Sequence, residues 1–184
     1  MTTTLALIGA SCTGKSTLWS AASRPGNVIL VPEAARAYFG EHPEIDETDR
    51  FQLPAQRAIQ ERAICNEMNA MERAHIVLAD LVVCDRSVFD APAYVYATGN
   101  PRGADRLLAR VSRWRYDHLV YPDPADVAYQ TDEVRKEPAV VRDAIHRGFV
   151  EFLQTRGISY TMVSGTLDER LERLIQLVAG ASQR

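Results

Sequence analysis

Cysteine is scarce in this 184-residue chain: only Cys12, Cys65 and Cys84 occur, far apart and with no C-x-x-C spacing. That pattern excludes a disulfide framework and a zinc site, and it predicts a reducing, cytoplasmic setting. An excess of one charge is also lacking. Twenty-one basic and 24 acidic side chains leave a formal net charge of -3, so no global field draws the protein to nucleic acid or to an anionic membrane. No apolar stretch approaches the ~20 residues of a membrane span, and none is expected. The opening Met1-Thr2-Thr3-Thr4 lacks the basic and apolar regions of a signal peptide. Internal repeats and low-complexity linkers are missing, and His42, His75, His118 and His146 show no catalytic partner in the sequence. What is present is a chain that is 46% hydrophobic. It is long enough for one substantial core and short for two, so a single domain over residues 1–184 is expected.

Four short apolar runs rich in β-branched residues, at 5–8, 28–31, 81–84 and 160–163, read as fully buried parallel strands. A weaker fifth at 118–121 ends at Pro122-Asp123-Pro124. Helical patterns fill the intervals at about 15–23, 33–40, 48–75, 88–98, 103–115, 138–156 and 166–179. This alternation predicts an α/β protein with a parallel sheet flanked by helices. Thr166 followed by Glu169 gives the last helix a capping box. Residues 122–138 form the one long irregular stretch, a length that usually signals function.

Directly after the first run stands Gly9-Ala10-Ser11-Cys12-Thr13-Gly14-Lys15-Ser16-Thr17, a complete G-x-x-x-x-G-K-[ST] leading into a helix. Glycines at both ends let successive N–H groups turn inward, and the helix N-terminus adds its dipole, so the segment is built to hold phosphates. Gly9, Ser11, Cys12, Thr13, Gly14, Lys15, Ser16 and Thr17 are therefore the expected nucleotide contacts. Lys15 would reach the β- and γ-phosphates of ATP, and the Ser16 hydroxyl would ligate magnesium.

In open parallel sheets ligands lie beyond the carboxyl ends of the strands. The second strand ends in Val31-Pro32-Glu33-Ala34-Ala35-Arg36. Glu33 there could take the proton of an acceptor hydroxyl, with Arg36 three residues on to hold a phosphate or pair with it. A carboxylate in a first helical turn also suits the helix dipole with no chemistry involved. The third strand ends in Cys84-Asp85-Arg86-Ser87. Asp85 is expected to orient magnesium and Arg86 to contact phosphate, although Asp85 could instead cap the next helix.

Taken together, GASCTGKST, VPEAARAY, CDRS and a basic loop before the last third resemble the P-loop kinases of the nucleoside and ribosylnicotinamide kinase type. The sequence also resembles a family labelled as an AAA-type ATPase domain, close to the kinase portion of the NadR regulator. The resemblance implies a P-loop NTPase fold with a five-stranded parallel sheet and an arginine-bearing lid. It places that lid at about 126–136, with Arg135 where a lid arginine is expected. It also likens Glu33 to the glutamate base of deoxynucleoside kinases. Their pattern has an aromatic soon after that glutamate, whereas Tyr38 and Phe39 come later here. A strand ending in Asp-Arg rather than Asp-Glu supplies no glutamate to polarise water, which favours transfer to a bound hydroxyl over hydrolysis.

The expected activity is ATP- and magnesium-dependent phosphoryl transfer to a hydroxyl of a nucleoside, a nucleotide or a related small molecule. Lys15, Glu33, Asp85, Arg86 and Arg135 are the catalytic set, with Ser16 and Asp85 at the metal. One alternative is a polynucleotide or modified-base DNA kinase gripping its strand through Arg102, Arg106, Arg110 and Arg113, which share a helical spacing usual for a solvated face. Another is a regulatory nucleotide-binding ATPase with no acceptor. The long helix at 48–75, with Ile59, Ala63, Ile64, Met68 and Met71, reads as core packing. So do Tyr94, Tyr96 and Trp114, though each could stack a base. Cys12, inside the loop, is expected to react faster than Cys65 and Cys84, both taken as buried.

Overall fold

The computed structural model describes residues 2–23, 27–126 and 139–181. Five strands run β1 (Thr3–Leu7), β2 (Val28–Val31), β3 (Leu81–Asp85), β4 (His118–Pro122) and β5 (Thr161–Val163). They pair in the order β2-β3-β1-β4-β5, every pair parallel. The seven helices among the described residues are α1 (Lys15–Ala21), α2 (Ala34–Glu41), α3 (Leu53–Val77), α4 (Asp90–Ala97), α5 (Pro101–Arg110), α6 (Ala139–Thr155) and α7 (Leu167–Ala181). The α/β architecture with a five-stranded parallel sheet is the expected one.

The alternation of side chains along each strand splits the apolar residues between two layers. Leu5 and Leu7 of β1 join Val83, Val120 and Val163 in a layer closed by Leu18 of α1 and by Leu171 and Leu174 of α7. Ala6 and Ile8 point the other way, into a larger layer with Tyr121, Tyr94, Phe149 and Phe152. With both faces covered, the central stretches of β1, β3 and β4 are apolar on both sides, which is why those runs read as continuous rather than alternating.

Several boundaries differ from expectation. The stretch at 48–75 opens with a 3-10 turn at Asp49–Phe51 before α3 begins. The helix expected at 103–115 spans Pro101–Arg110 instead. Its start is fixed by Asn100, whose side chain accepts from the Gly103 N–H at 2.9 Å, and Pro101 sits at the first helical position. The capping box of α7 forms as read: the Thr166 N–H donates to Glu169 Oε2 at 2.7 Å, and the Glu169 N–H to Thr166 Oγ1 at 3.3 Å. Met68 and Met71, expected in the core, are 59% and 38% exposed, because they lie off the face of α3 that buries Glu67, Ala70 and Ala74. Cys65 is likewise exposed rather than buried, while Cys84 is buried in β3. No helix among the described residues is long and apolar enough to cross a membrane.

Candidate functional site

Strands β1 and β3 lie side by side, so their carboxyl ends bring the phosphate loop and the Asp85-Arg86-Ser87 corner together. The loop has the backbone its glycines permit. Gly9 has φ 133°, and a Cβ there would meet the Tyr121 ring at 2.8 Å. Gly14, at φ 80°, caps α1. Cys12 also takes a left-handed φ of 57°, uncommon for a residue with a Cβ.

Lys15 is 4% exposed. Its Nζ donates to the Ala10 carbonyl and to Thr13 Oγ1, the latter at 3.1 Å, so the side chain folds over its own loop. Burial, with help from the nearby Arg86 charge, pulls its pKa from 10.5 down to about 7. Ser11 points from the loop to the Tyr94 hydroxyl, 3.1 Å away. Ser16 is half-buried and Thr17 faces solvent.

Beside the loop lies a buried charge cluster. Arg86 Nε donates to Glu33 Oε1 at 2.6 Å, and Nη1 donates to Asp90 Oδ1 at 2.9 Å and to the Gly9 carbonyl at 3.0 Å. The three side chains are 9%, 7% and 6% exposed, so these pairs act in a low dielectric and are screened little by salt. Arg86 holds a left-handed φ of 82°, strain that its three bonds keep in place. Burial opposes its charge, but Tyr94, Glu33 and Asp90 outweigh that and hold the guanidinium well above its ordinary pKa. Burial pushes the Asp90 carboxyl up, against the pull of Arg86 and Lys15.

Asp90 is the residue that sequence reasoning missed. It accepts from the Ser87 N–H and hydroxyl, both at 2.8 Å, and more distantly from the Gly9 N–H at 3.4 Å. The available signal was a lone acid four residues after Arg86 in an otherwise apolar helix start. Asp90 is the first residue of α4, whose N-cap position is Phe89 and has no side-chain capping bond. Asp85 is not a cap: it ends β3, is 5% exposed, and its Oδ1 has no hydrogen-bond partner among the described residues. Glu33 is the N-cap of α2, yet its side chain makes no capping bond. It turns to Arg86 instead, with Arg36 further off at 3.7 Å, so its place at the helix N-terminus suits the dipole while its hydrogen bond goes to Arg86.

A cleft of about 830 Å³, counting its open mouth, runs from Ser11 past Glu33, Asp85 and Arg86 to α3. Its walls carry Phe39, Phe51 and Tyr94, and its far end carries Gln56, Gln60 and Glu67. Tyr94 stacks on Phe51 at 5.5 Å and lies under the Arg86 guanidinium at 5.3 Å. Helix α3 is therefore a wall of the site as well as a packing element. Burial raises Glu67 to about 8 even though Tyr116 and Trp114 donate to it. Trp114 lies among the residues packed on the core, and Tyr96 bonds Glu151 at the surface, so neither is offered to a ligand in the cleft. Of the arginine row, Arg110 pairs with Glu61 at 2.8 Å and Arg113 falls beyond the end of α5, so the four do not form one helical face. Arg135 and the expected lid lie outside the described residues, save its first residue, Asp126.

The fold can be set beside known structures. The chain superposes on NadR protein in complex with NR with a TM-score of 0.72 at 18% identity, covering 97% of this chain and 49% of that one, so it spans about half of NadR. Thymidylate kinase from Candida albicans gives a TM-score of 0.64 at 17% identity, covering 98% and 92%. Deoxyadenosine kinase from M. mycoides gives 0.65 at 11%, covering 96% and 99%. No curated protein sequence matches significantly. A family model described as an AAA domain matches residues 4–170, which takes in the phosphate loop, both clustered strand ends and the start of α7. The chain belongs to that AAA domain family, and it carries the fold of a P-loop kinase.

Proposed function

We propose that the protein is an ATP-dependent kinase that transfers the γ-phosphoryl group to a hydroxyl of a nucleoside-like acceptor bound in the cleft. The observation that carries this reading is the continuity of that cleft with the phosphate loop: aromatic walls lead directly to Glu33 and Asp85, beside Lys15. A flat base suits walls of Phe39, Phe51 and Tyr94, and a sugar hydroxyl would then face Glu33. The fold neighbours point the same way, being kinases of nucleosides and nucleotides, and deoxyadenosine kinase holds dCMP and dCDP as products.

Glu33 accepts the hydroxyl proton as the new bond forms. Its pairing with Arg86 holds the carboxylate in place at the mouth of the phosphate loop. Lys15 leaves the Ala10 carbonyl to meet the phosphates, whose charge restores the proton that burial disfavours. Arg86, with Nε and Nη1 committed, orients Glu33 and braces Gly9. The magnesium expected with ATP fits Asp85 and Ser16, because Asp85 Oδ1 is buried with no partner among the described residues and Mg²⁺ typically takes one or two carboxylates plus phosphate oxygens. The ion would neutralise charge on the transferring group.

A panel assay with labelled ATP against nucleosides, mononucleotides, ribosylnicotinamide and oligonucleotides tests the reading. Label on a nucleoside-like small molecule supports it. Label on oligonucleotides alone, or release of phosphate with no labelled acceptor, overturns it.

A further inference from the structure

Arg170, in the first turn of α7, is 3% exposed, and arginine is almost never buried so deeply unless it is paired. Its partners are mainly backbone carbonyls from three separate loops. Nε donates to Gly165 at 2.9 Å, Nη1 to Thr13 at 3.2 Å and Nη2 to Asp123 at 3.0 Å. The Asp126 carboxylate, 3.4 Å from Nη2, also accepts from the Gly165 N–H at 2.6 Å. One side chain thus joins the phosphate loop, the end of β4 and the turn between β5 and α7.

The fold does not need this clasp. Strands β4 and β5 are already paired, and α7 is anchored by Leu171 and Leu174. A buried charge is a costly way to hold a helix, since apolar residues of similar volume often do as well or better. The bond to Thr13 has a different consequence. In a trans peptide the C=O and the following N–H point in opposite directions, and no cis bond occurs among the described residues. By drawing the Thr13 carbonyl toward the β4 and β5 loops, Arg170 turns the Gly14 N–H away from them, toward the hollow of the phosphate loop. Gly14 has no Cβ to resist rotation of that peptide, so the orientation depends on an outside hold. The cleft occupies the β2 and β3 side of the loop, which leaves the β4 and β5 ends for the remainder of the donor nucleotide.

We propose that Arg170 is a positioning residue for the donor nucleotide: it sets the Thr13–Gly14 peptide so that the loop's N–H groups converge on phosphate, and it ties that loop to the strand ends along which the nucleoside lies. This rests on the nucleotide-binding reading above.

The test is calorimetric titration of the purified full chain with Mg-ADP, which needs no knowledge of the acceptor. Arg170→Met is expected to bind about tenfold more weakly, the scale of one lost charge-assisted hydrogen bond, and Arg170→Lys to recover part of that loss. Leu174→Ala weakens the same helix through its core contact and is expected to stay within about twofold of the original protein, since its stability loss leaves the loop untouched. Affinity unchanged in Arg170→Met, or lost equally in Leu174→Ala, overturns the inference and leaves the nucleotide reading standing. If the unaltered protein binds no Mg-ADP, both fall. Should Arg170→Met fail to fold, Arg170→Lys decides on the same terms, with unaltered affinity the overturning result.

Discussion

The phosphate loop and the cleft beside it are held by different means. The loop is held through its backbone: Lys15 Nζ and Thr13 Oγ1 donate to the Ala10 carbonyl, and Arg170 takes the Thr13 carbonyl from the opposite side. The cleft wall is held by charge, with Arg86 between Glu33 and Asp90. The loop waits with a cation whose protonation burial has made unfavourable, whereas Glu33 and Asp90 of the wall are already bonded to Arg86 before any substrate arrives. Changes to the loop should therefore act on nucleotide binding and transfer, while changes to the wall should act on stability as well as turnover.

The largest separation comes from Lys15→Ala. It should leave the fold intact and lower turnover about 10²–10³-fold or more, the cost of losing one charge aimed at the transition state. Turnover near that of the unaltered protein would dissolve the distinction. Arg86→Met should do the opposite and show mainly in a urea titration, losing about 3–5 kcal/mol because two buried carboxylates lose their counter-ion. A loss below about 1 kcal/mol would mean that the wall is not held by charge.

Glu33→Gln keeps the volume and removes the base. Turnover should fall about 10²-fold with little change in ATP affinity. If only thermal stability falls, Glu33 serves Arg86 and not the hydroxyl. Asp85→Asn should instead raise the magnesium concentration needed for half-maximal rate.

The pH dependence sharpens the comparison further. Lys15 has a pKa of about 7 in the folded protein against 10.5 ordinarily, so between those values the unfolded chain binds more protons and this group's contribution to stability rises with pH. Nucleotide phosphates favour the protonated amine, so ATP binding at pH 8 should take up close to one proton and weaken as pH climbs above about 7. Calorimetry in buffers of different ionisation enthalpy measures that uptake, and Lys15→Ala should abolish it. Smallest is a labelling effect: Mg-ATP should protect half-buried Cys12 from maleimide and leave exposed Cys65 unchanged. Equal protection of both would place Cys12 away from the nucleotide.

The loop's motif was legible because it lies in nine consecutive residues, but its outside holds, Arg86 on Gly9 and Arg170 on Thr13, were not. The strands were legible because burial on both faces demands unbroken apolar runs. Element ends were less so: α5 stops at Arg110, since a local pattern of arginines carries no information about where the helix loses its support. Glu33, Asp85 and Arg86 could be picked out by their place after strands, but not their pairing. That Arg86 meets Glu33, 53 residues away, follows only when β2 and β3 align, whereas Asp90 lies four residues on along the same segment.

The sequence by itself therefore determined the α/β class, the phosphate-loop motif and the polar residues that follow the strands, because these follow from spacing and polarity along one chain. Tertiary structure alone decided that α3 walls the cleft, that Asp90 anchors the charge cluster, and that Arg170 reaches Thr13 across 157 positions. The physical reason is the same in each case: a buried polar group must find a partner, and which partner it finds depends on what the folded sheet brings within about 3 Å.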